Sequence, residues 1–181
     1  MSAASQDAQI QALCAQLAQS LLQQNWKLAT AESCTGGMIA AACTSLSGSS
    51  AWFDRAMVSY SNEAKSAMLG VAPALITQHG AVSEAVARAM AEGAVVHSLA
   101  QVSIAVTGVA GPTGGSATKP VGTVWFGWSV AGQVSSEVCR FAGDRSAVRA
   151  ATVRHALARL LALLGAAGSG ASPLGAARRC S

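Results

Sequence analysis

Lys27-Leu28-Ala29-Thr30-Ala31, then Glu32-Ser33-Cys34-Thr35-Gly36-Gly37, then Met38-Ile39-Ala40-Ala41-Ala42-Cys43-Thr44-Ser45-Leu46, reads as three consecutive pieces of structure. The first is short and extended, the second a tight polar turn, the third an Ala-rich helix closed by Ser47-Gly48-Ser49-Ser50. α/β enzymes use this succession to present groups at the carboxyl end of a strand. Outward from it the same alternation recurs. Upstream, residues 8 to 24 carry Ile10, Leu13, Cys14, Leu17, Leu21 and Leu22 at helical spacing, and Asn25 stops them. Downstream, Ala56 to Tyr60 reads as a strand, and a helix follows Ser61-Asn62 and ends at Gly70. Pro73 to Gln78 is a short helix, and Ser83 caps a longer one that Glu84 opens. Val102 to Val106 is a buried strand by its β-branched content.

Val121 to Val130 and Val134 to Phe141 form a hairpin across Ala131-Gly132-Gln133, and Asp144 caps a last helix from Arg145 to about Leu164. The expectation is one α/β domain, a three-layer α/β/α sandwich with a mixed sheet, over residues 1 to 165. Residues 166 to 181, mostly Gly, Ala and Ser, are expected to form a loose tail.

Composition narrows the functional classes. The 181 residues are 51% hydrophobic and 11% charged, which excludes a disordered chain, although alanine alone supplies 40 of the apolar positions. No uninterrupted apolar run approaches the roughly 18 residues of a bilayer span, and Met1 to Ile10 lacks a secretory signature. A cytoplasmic protein that binds no membrane is expected. The +4 formal charge includes Arg178 and Arg179, which leaves the body near +2 with no dense basic patch, so nucleic acid is not an expected partner. A small anionic ligand remains compatible, since one or two placed cations suffice for a phosphate. Cys14, Cys34, Cys43, Cys139 and Cys180 are scattered without a C-x-x-C pair, and His79, His97 and His155 are equally dispersed. Neither a disulfide framework nor a structural metal is expected.

Three polar clusters interrupt the alanine. In Glu32 to Gly37, the glycines bring backbone close to a ligand and the following helix start offers N–H groups to an anion. The turn reads equally as a helix cap or as the carrier of a nucleophile, with Ser33 or Cys34 supplying the attacking atom. In Tyr60-Ser61-Asn62-Glu63-Ala64-Lys65, a lysine near a helix start has its pKa lowered by the dipole and could take a proton from a serine. The alternative is a solvated lysine paired with Glu63 or Glu84. Thr107-Gly108-Val109-Ala110-Gly111-Pro112-Thr113-Gly114-Gly115-Ser116 matches neither nucleotide-binding glycine signature. Four glycines at a strand end suit a backbone nest for phosphate or an oxyanion, or a plain loop. Arg145 at a helix start is a candidate phosphate ligand. Trp125, Phe126 and Trp128 on one hairpin strand suggest core or dimer packing.

Taken together, residues from about Leu28 to Arg149 resemble the CinA C-terminal family, whose stand-alone members are nicotinamide-nucleotide amidases. The resemblance rests on seven ordered blocks. They are Ala31 to Gly37, Gly48-Ser49-Ser50-Ala51-Trp52-Phe53, Tyr60 to Lys65, His79-Gly80-Ala81-Val82-Ser83, Gly108 to Pro112, Lys119-Pro120-Val121-Gly122-Thr123-Val124 and Gly143-Asp144-Arg145. It implies hydrolysis of the carboxamide of nicotinamide mononucleotide, with Ser33 as nucleophile, Lys65 as its base, Tyr60 as a hydrogen-bonding member of the site, and no metal or cofactor. It also implies that Thr107 and the loop beyond it, with Gly108, Gly111, Gly114 and Gly115, line the pocket.

Local chemistry adds Thr35, Gly36, Gly37, Asn62 and Arg145 as oxyanion or phosphate contacts. Longer relatives carry an additional pyrophosphatase-type domain. Only a helix precedes Leu28 here, so that activity is expected to be absent. A homodimer is expected. The rival expectations are a non-catalytic nucleotide-binding or regulatory module, and a hydrolase for a different small amide.

Overall fold

A computed structural model describes residues 3–168 and 178–179. The elements run α1 (Ala3–Gln23), β1 (Leu28–Glu32), α2 (Met38–Thr44), β2 (Phe53–Val58), α3 (Asn62–Leu69), α4 (Pro73–His79), α5 (Glu84–Val96), β3 (Val102–Gly108), β4 (Thr123–Val130), β5 (Gln133–Arg140), α6 (Arg145–Gly168) and β6 (Arg178–Arg179). They form one six-stranded sheet in the order β2-β1-β3-β4-β5-β6. β2, β1 and β3 are parallel, β3, β4 and β5 antiparallel, and β6 parallel to β5. The mixed sheet expected from the sequence is the one observed.

Each face of the sheet buries its own cluster. Val102, Ile104, Val106, Phe126 and Trp128 meet Cys14, Leu17 and Leu21 of α1 and Val153, Leu157 and Leu160 of α6. Trp128 is buried there with its indole N–H donating to the Ala156 carbonyl at 3.1 Å, which satisfies its one polar atom. The opposite face is built from small residues, Ala29, Ala31, Ser103, Ala105 and Gly127, against Ala87, Ala91 and Ala94 of α5. A Cβ on Gly127 would stand 2.3 Å from the Ala87 carbonyl oxygen. The alanines at this contact permit the close approach of helix to sheet.

Several boundaries differ from the sequence reading. β2 begins at Phe53 and ends at Val58, upstream of the expected strand, because Asp54 and Arg55 are tolerated on an edge strand open to solvent. The hairpin turns on two residues, Ala131 and Gly132, both at positive φ (48° and 83°), and Gln133 already belongs to β5. Asp144 does cap α6, accepting the Ala147 N–H at 2.8 Å, but the helix continues to Gly168 through the helix-favouring Ala166 and Ala167.

Of the expected tail, residues 169–177 and 180–181 lie outside the described residues. α6 is long and apolar enough over Arg145–Ala167 to cross a bilayer by length and composition. Reading runs of apolar residues missed this because arginines interrupt them. In the fold its apolar face, including Val148 and Val153, packs on the sheet.

Candidate active site

Ser33 follows the last residue of β1, a strand buried along its whole length beside β3. In open α/β sheets ligands collect at such carboxyl ends where strand order reverses, here between β1 and β3. The Ser33 N–H donates to the Val106 carbonyl at 3.1 Å, which holds the turn against β3. Gly36 and Gly37 then adopt φ of 59° and 96°, left-handed conformations that favour glycine. Glu32 organises the rest. Its side chain is fully buried and accepts from Thr35 Oγ1 (2.6 Å) and from the N–H groups of Gly37 (3.0 Å), Ile39 (3.1 Å) and Ala40 (2.8 Å).

That arrangement corrects the expectation of an open anion site at the start of α2. The N–H groups of Gly37, Ile39 and Ala40 are taken by the chain's own carboxylate, and the Gly36 N–H donates to the Ser33 carbonyl at 3.1 Å. Thr35 likewise spends its hydroxyl on Glu32.

Ser61 caps α3 by accepting the Ala64 N–H at 3.0 Å, and the first turn of the helix carries Lys65 inward. Lys65 is 1% exposed, and its Nζ lies 3.1 Å from Ser33 Oγ and donates to the Ser59 carbonyl at 2.9 Å. Burial lowers the lysine pKa, only partly opposed by the nearby Cys34 thiol. Among the described residues no carboxylate pairs with it. Glu63 is exposed, and Glu84 accepts a hydrogen bond from Ser136 instead. The solvated, ion-paired reading of Lys65 is thereby overturned. Cys34, the other candidate nucleophile, is buried and its thiol is pushed up to about 11 by that burial, so it stays protonated near neutrality. Ser33 is half-buried, reachable from outside with the amine behind it.

The remaining candidates form a rim. Arg145 donates through Nη1 to the Gly111 carbonyl and through Nη2 to the Tyr60 hydroxyl, each at 2.9 Å. Tyr60 is thus tied to the glycine loop and hydrogen-bonds neither Ser33 nor Lys65. Thr107 is buried and donates its hydroxyl to the Ala81 carbonyl at 2.8 Å, a bond that fastens β3 to the segment before α5. Gly108, Gly111 and Gly115 serve close packing: a Cβ would stand 2.8 Å from the Thr123 carbonyl oxygen, 2.6 Å from Val121 Cγ1 and 2.9 Å from the Val121 nitrogen respectively. A Cβ on Gly114 would meet Val109 Cγ1 at 3.8 Å, an ordinary van der Waals contact. Asn62 lines an open hollow of about 540 Å3 with Ser66 and Thr77 and hydrogen-bonds neither member of the Ser33–Lys65 pair.

One residue escaped the sequence reading. Arg149, one turn beyond Arg145 on α6, donates Nη2 to the Thr35 carbonyl at 2.7 Å. Its i,i+4 spacing from Arg145 was the available signal. Among the described residues, the buried side-chain polar atoms with no hydrogen-bond partner are Arg149 Nε and Ser59 Oγ, on two residues bonded to the site's own turn and lysine.

Comparison with known proteins identifies similar chains. The chain is 51% identical over 154 residues to nicotinamide-nucleotide amidohydrolase PncC of Pseudomonas putida, covering 85% of this chain and 96% of that one. It is 47% identical over 156 residues to nicotinamide-nucleotide amidohydrolase PncC of Escherichia coli strain K12, covering 85% and 94%. The crystal structure of competence/damage inducible protein CihA from Agrobacterium tumefaciens superimposes with a TM-score of 0.83 at 45% identity, over 86% of this chain and 95% of that one. The family model for the CinA C-terminal domain matches residues 10–164. Since that match runs from within α1 to the last turns of α6 and takes in both the Ser33 turn and α3, the chain belongs to the CinA C-terminal domain family.

Proposed function

We propose that the chain hydrolyses the carboxamide of nicotinamide mononucleotide to nicotinate mononucleotide and ammonia, a step of pyridine nucleotide salvage in the cytoplasm. The observation that carries this reading is the 3.1 Å contact between Ser33 Oγ and a buried Lys65 Nζ whose pKa is lowered. Neutral Lys65 takes the Ser33 proton as Oγ attacks the carboxamide carbon. The oxyanion is held by the backbone N–H groups of Cys34 and Thr35, which among the described residues donate to no other residue. An N–H just after the nucleophile is a recurrent element of such holes. The lysine ammonium returns its proton to the departing nitrogen, releasing ammonia and leaving an acyl ester on Ser33. Water, deprotonated by the same amine, attacks that ester and frees the carboxylate product.

Arg145 and Arg149 reach the rim of the Ser33 turn from α6 and supply the charge for the substrate phosphate. The names of the relatives support the same substrate. A purely regulatory nucleotide-binding module would have no use for a buried lysine aimed at a serine.

The test is ammonia release from the mononucleotide, the riboside and free nicotinamide by the wild type and by Ser33→Ala. The expected result is release from the mononucleotide foremost and loss of turnover in a folded Ser33→Ala. Equal turnover by that variant would sink the dyad, and preference for another amide would reassign the substrate.

The homodimer belongs to the same proposal, but the hairpin tryptophans do not support it: Trp128 is buried and Trp125 half-buried. The exposed Val58, Tyr60 and Met68 around β2 and α3 are the better candidate surface. Sedimentation velocity of the wild type against Met68→Glu distinguishes a dimer there from a monomer.

A further inference from the structure

On the far side of the sheet from α5, β5 and α6 bring together three side chains that lie apart in sequence. Glu137 and Cys139 project from β5 towards α6, where His155 meets them, and one ligand atom of each lies within 4.8 Å of the others. His155 Nε2 is 3.4 Å from Cys139 Sγ and 3.4 Å from Glu137 Oε1, and Sγ to Oε1 is 3.9 Å. Zinc-type ions bind thiolate at about 2.3 Å and imidazole or carboxylate at about 2.0–2.2 Å in a tetrahedron. Ligand atoms around such an ion stand roughly 3.3–3.6 Å apart by that geometry. The three observed separations are close to that figure without movement of the backbone.

The geometry points to a binding site for a zinc-type divalent transition ion, held by Glu137, Cys139 and His155 with solvent in the fourth position. The donor set, one thiolate, one imidazole and one carboxylate, is the mixture that such ions prefer over calcium or magnesium. The carboxylate is oriented from behind, because its second oxygen is 3.3 Å from Arg159 Nε. Partners of this kind fix a ligand's direction. Phe126, Trp128 and Phe141 surround the imidazole, with ring centroids 4.8, 6.3 and 6.1 Å away, and limit its rotation.

His155 also lines a cavity of about 510 Å3 between α1 and α6, with Gln9, Leu13, Phe141 and Arg154. On binding, the Cys139 thiol loses its proton to solvent as the sulfur–metal bond forms. The site uses no residue of the Ser33–Lys65 centre and does not rest on the proposed amidase activity. The same three groups can also hold one another by hydrogen bonds with Arg159 and no ion, and an experiment separates the two.

The full-length chain, first treated with a chelator, is titrated with cobalt(II) and followed by absorption, with zinc(II) as competitor. The expected result is one equivalent of cobalt giving a thiolate-to-cobalt charge-transfer band, displaced by zinc. Cys139→Ser removes that band, and Glu137→Gln, which keeps the side-chain shape, weakens binding by at least roughly tenfold, since even an outer partner of a ligand is worth that much. Zinc raises the melting temperature of the wild type and of Ser33→Ala, and not of Cys139→Ser. No charge-transfer band, a band that survives in Cys139→Ser, or unchanged affinity in a folded Glu137→Gln overturns the site and leaves the hydrogen-bonded network.

Discussion

An ammonium enclosed with a hydroxyl and a carbonyl, and without a contacting carboxylate among the described residues, costs the fold free energy. The pKa of Lys65 is lowered in the folded chain relative to its ordinary value of 10.5. The folded state therefore binds fewer protons than the unfolded state as pH climbs from the folded value towards the unfolded one. Stability rises across that window and is penalised below it. Lys65→Met should accordingly lower turnover by roughly 10²–10⁴-fold, the range for losing a general base. Its melting temperature should be unchanged or raised by a few degrees, about 1 kcal/mol corresponding to roughly 2–4 °C at this size. Calorimetry beside an ammonia assay reads both.

The rate of the wild type should increase with pH along a limb whose midpoint lies below that of an ordinary lysine, and Lys65→Arg should abolish the limb with the activity. Cys34→Ala, by contrast, should keep turnover within about threefold while costing about 1 kcal/mol of stability, because a thiol with a pKa near 11 is packing and not nucleophile. The pairing of Ser33 with Lys65 was legible because one follows the end of a buried strand and the other lies at the start of a helix, where sequence punctuation is strong. The role of Glu32 was not legible, since a carboxylate reaching forward to residues 37, 39 and 40 obeys no local spacing rule.

At the scale of elements, α2 is a seven-residue helix whose N-cap, Gly37, has no side chain with which to cap it. So short a helix is marginal alone, and Glu32 supplies from the strand what the cap lacks. Glu32→Gln keeps the shape but replaces one acceptor oxygen with a donor facing N–H groups. It should cost about 1–3 kcal/mol, the penalty for buried groups left unsatisfied. It should also reduce kcat more than it raises KM, because the displaced turn carries Ser33, the proposed nucleophile. Chemical denaturation with steady-state kinetics checks both.

β2 shows the limit of pattern reading in the other direction. Its half-exposed edge admits Asp54 and Arg55, so alternation is lost although the parallel register with β1 is regular from Ala29 to Glu32. α5 was readable from Ser83 and its apolar period, but its closeness to the sheet was not, because alanine and glycine announce little. Gly127→Ala measures that closeness. The added methyl meets the Ala87 carbonyl, and overpacking of this kind costs about 1–3 kcal/mol.

For the molecule as a whole, the site is assembled only when the sheet has closed on both faces. The turn after β1 brings the serine, α3 brings the lysine from the α5 side, and α6 brings Arg145 and Arg149 from the other. Thr35 and Arg149 are 114 residues apart in sequence, a pairing that no local rule exposes and that only the mixed topology creates. The two arginines are asymmetric in their present partners. Arg145 is spent on a tyrosine hydroxyl and a carbonyl, whereas Arg149 keeps a buried Nε without a partner.

That asymmetry makes Arg149 the sharper probe of phosphate recognition. A hydrogen bond to a charged group contributes about 1.5–3 kcal/mol, or roughly 10- to 100-fold in affinity. Arg149→Met should therefore raise KM for nicotinamide mononucleotide by that factor while leaving KM for the riboside, which lacks the phosphate, within about twofold. Arg149→Lys should recover only part of the loss, because an ammonium cannot reproduce the guanidinium fork. If both substrates weaken equally, Arg149 acts through the Thr35 turn and the phosphate is held elsewhere. Comparing kcat for the riboside in the same variant shows whether the Ser33 turn has moved.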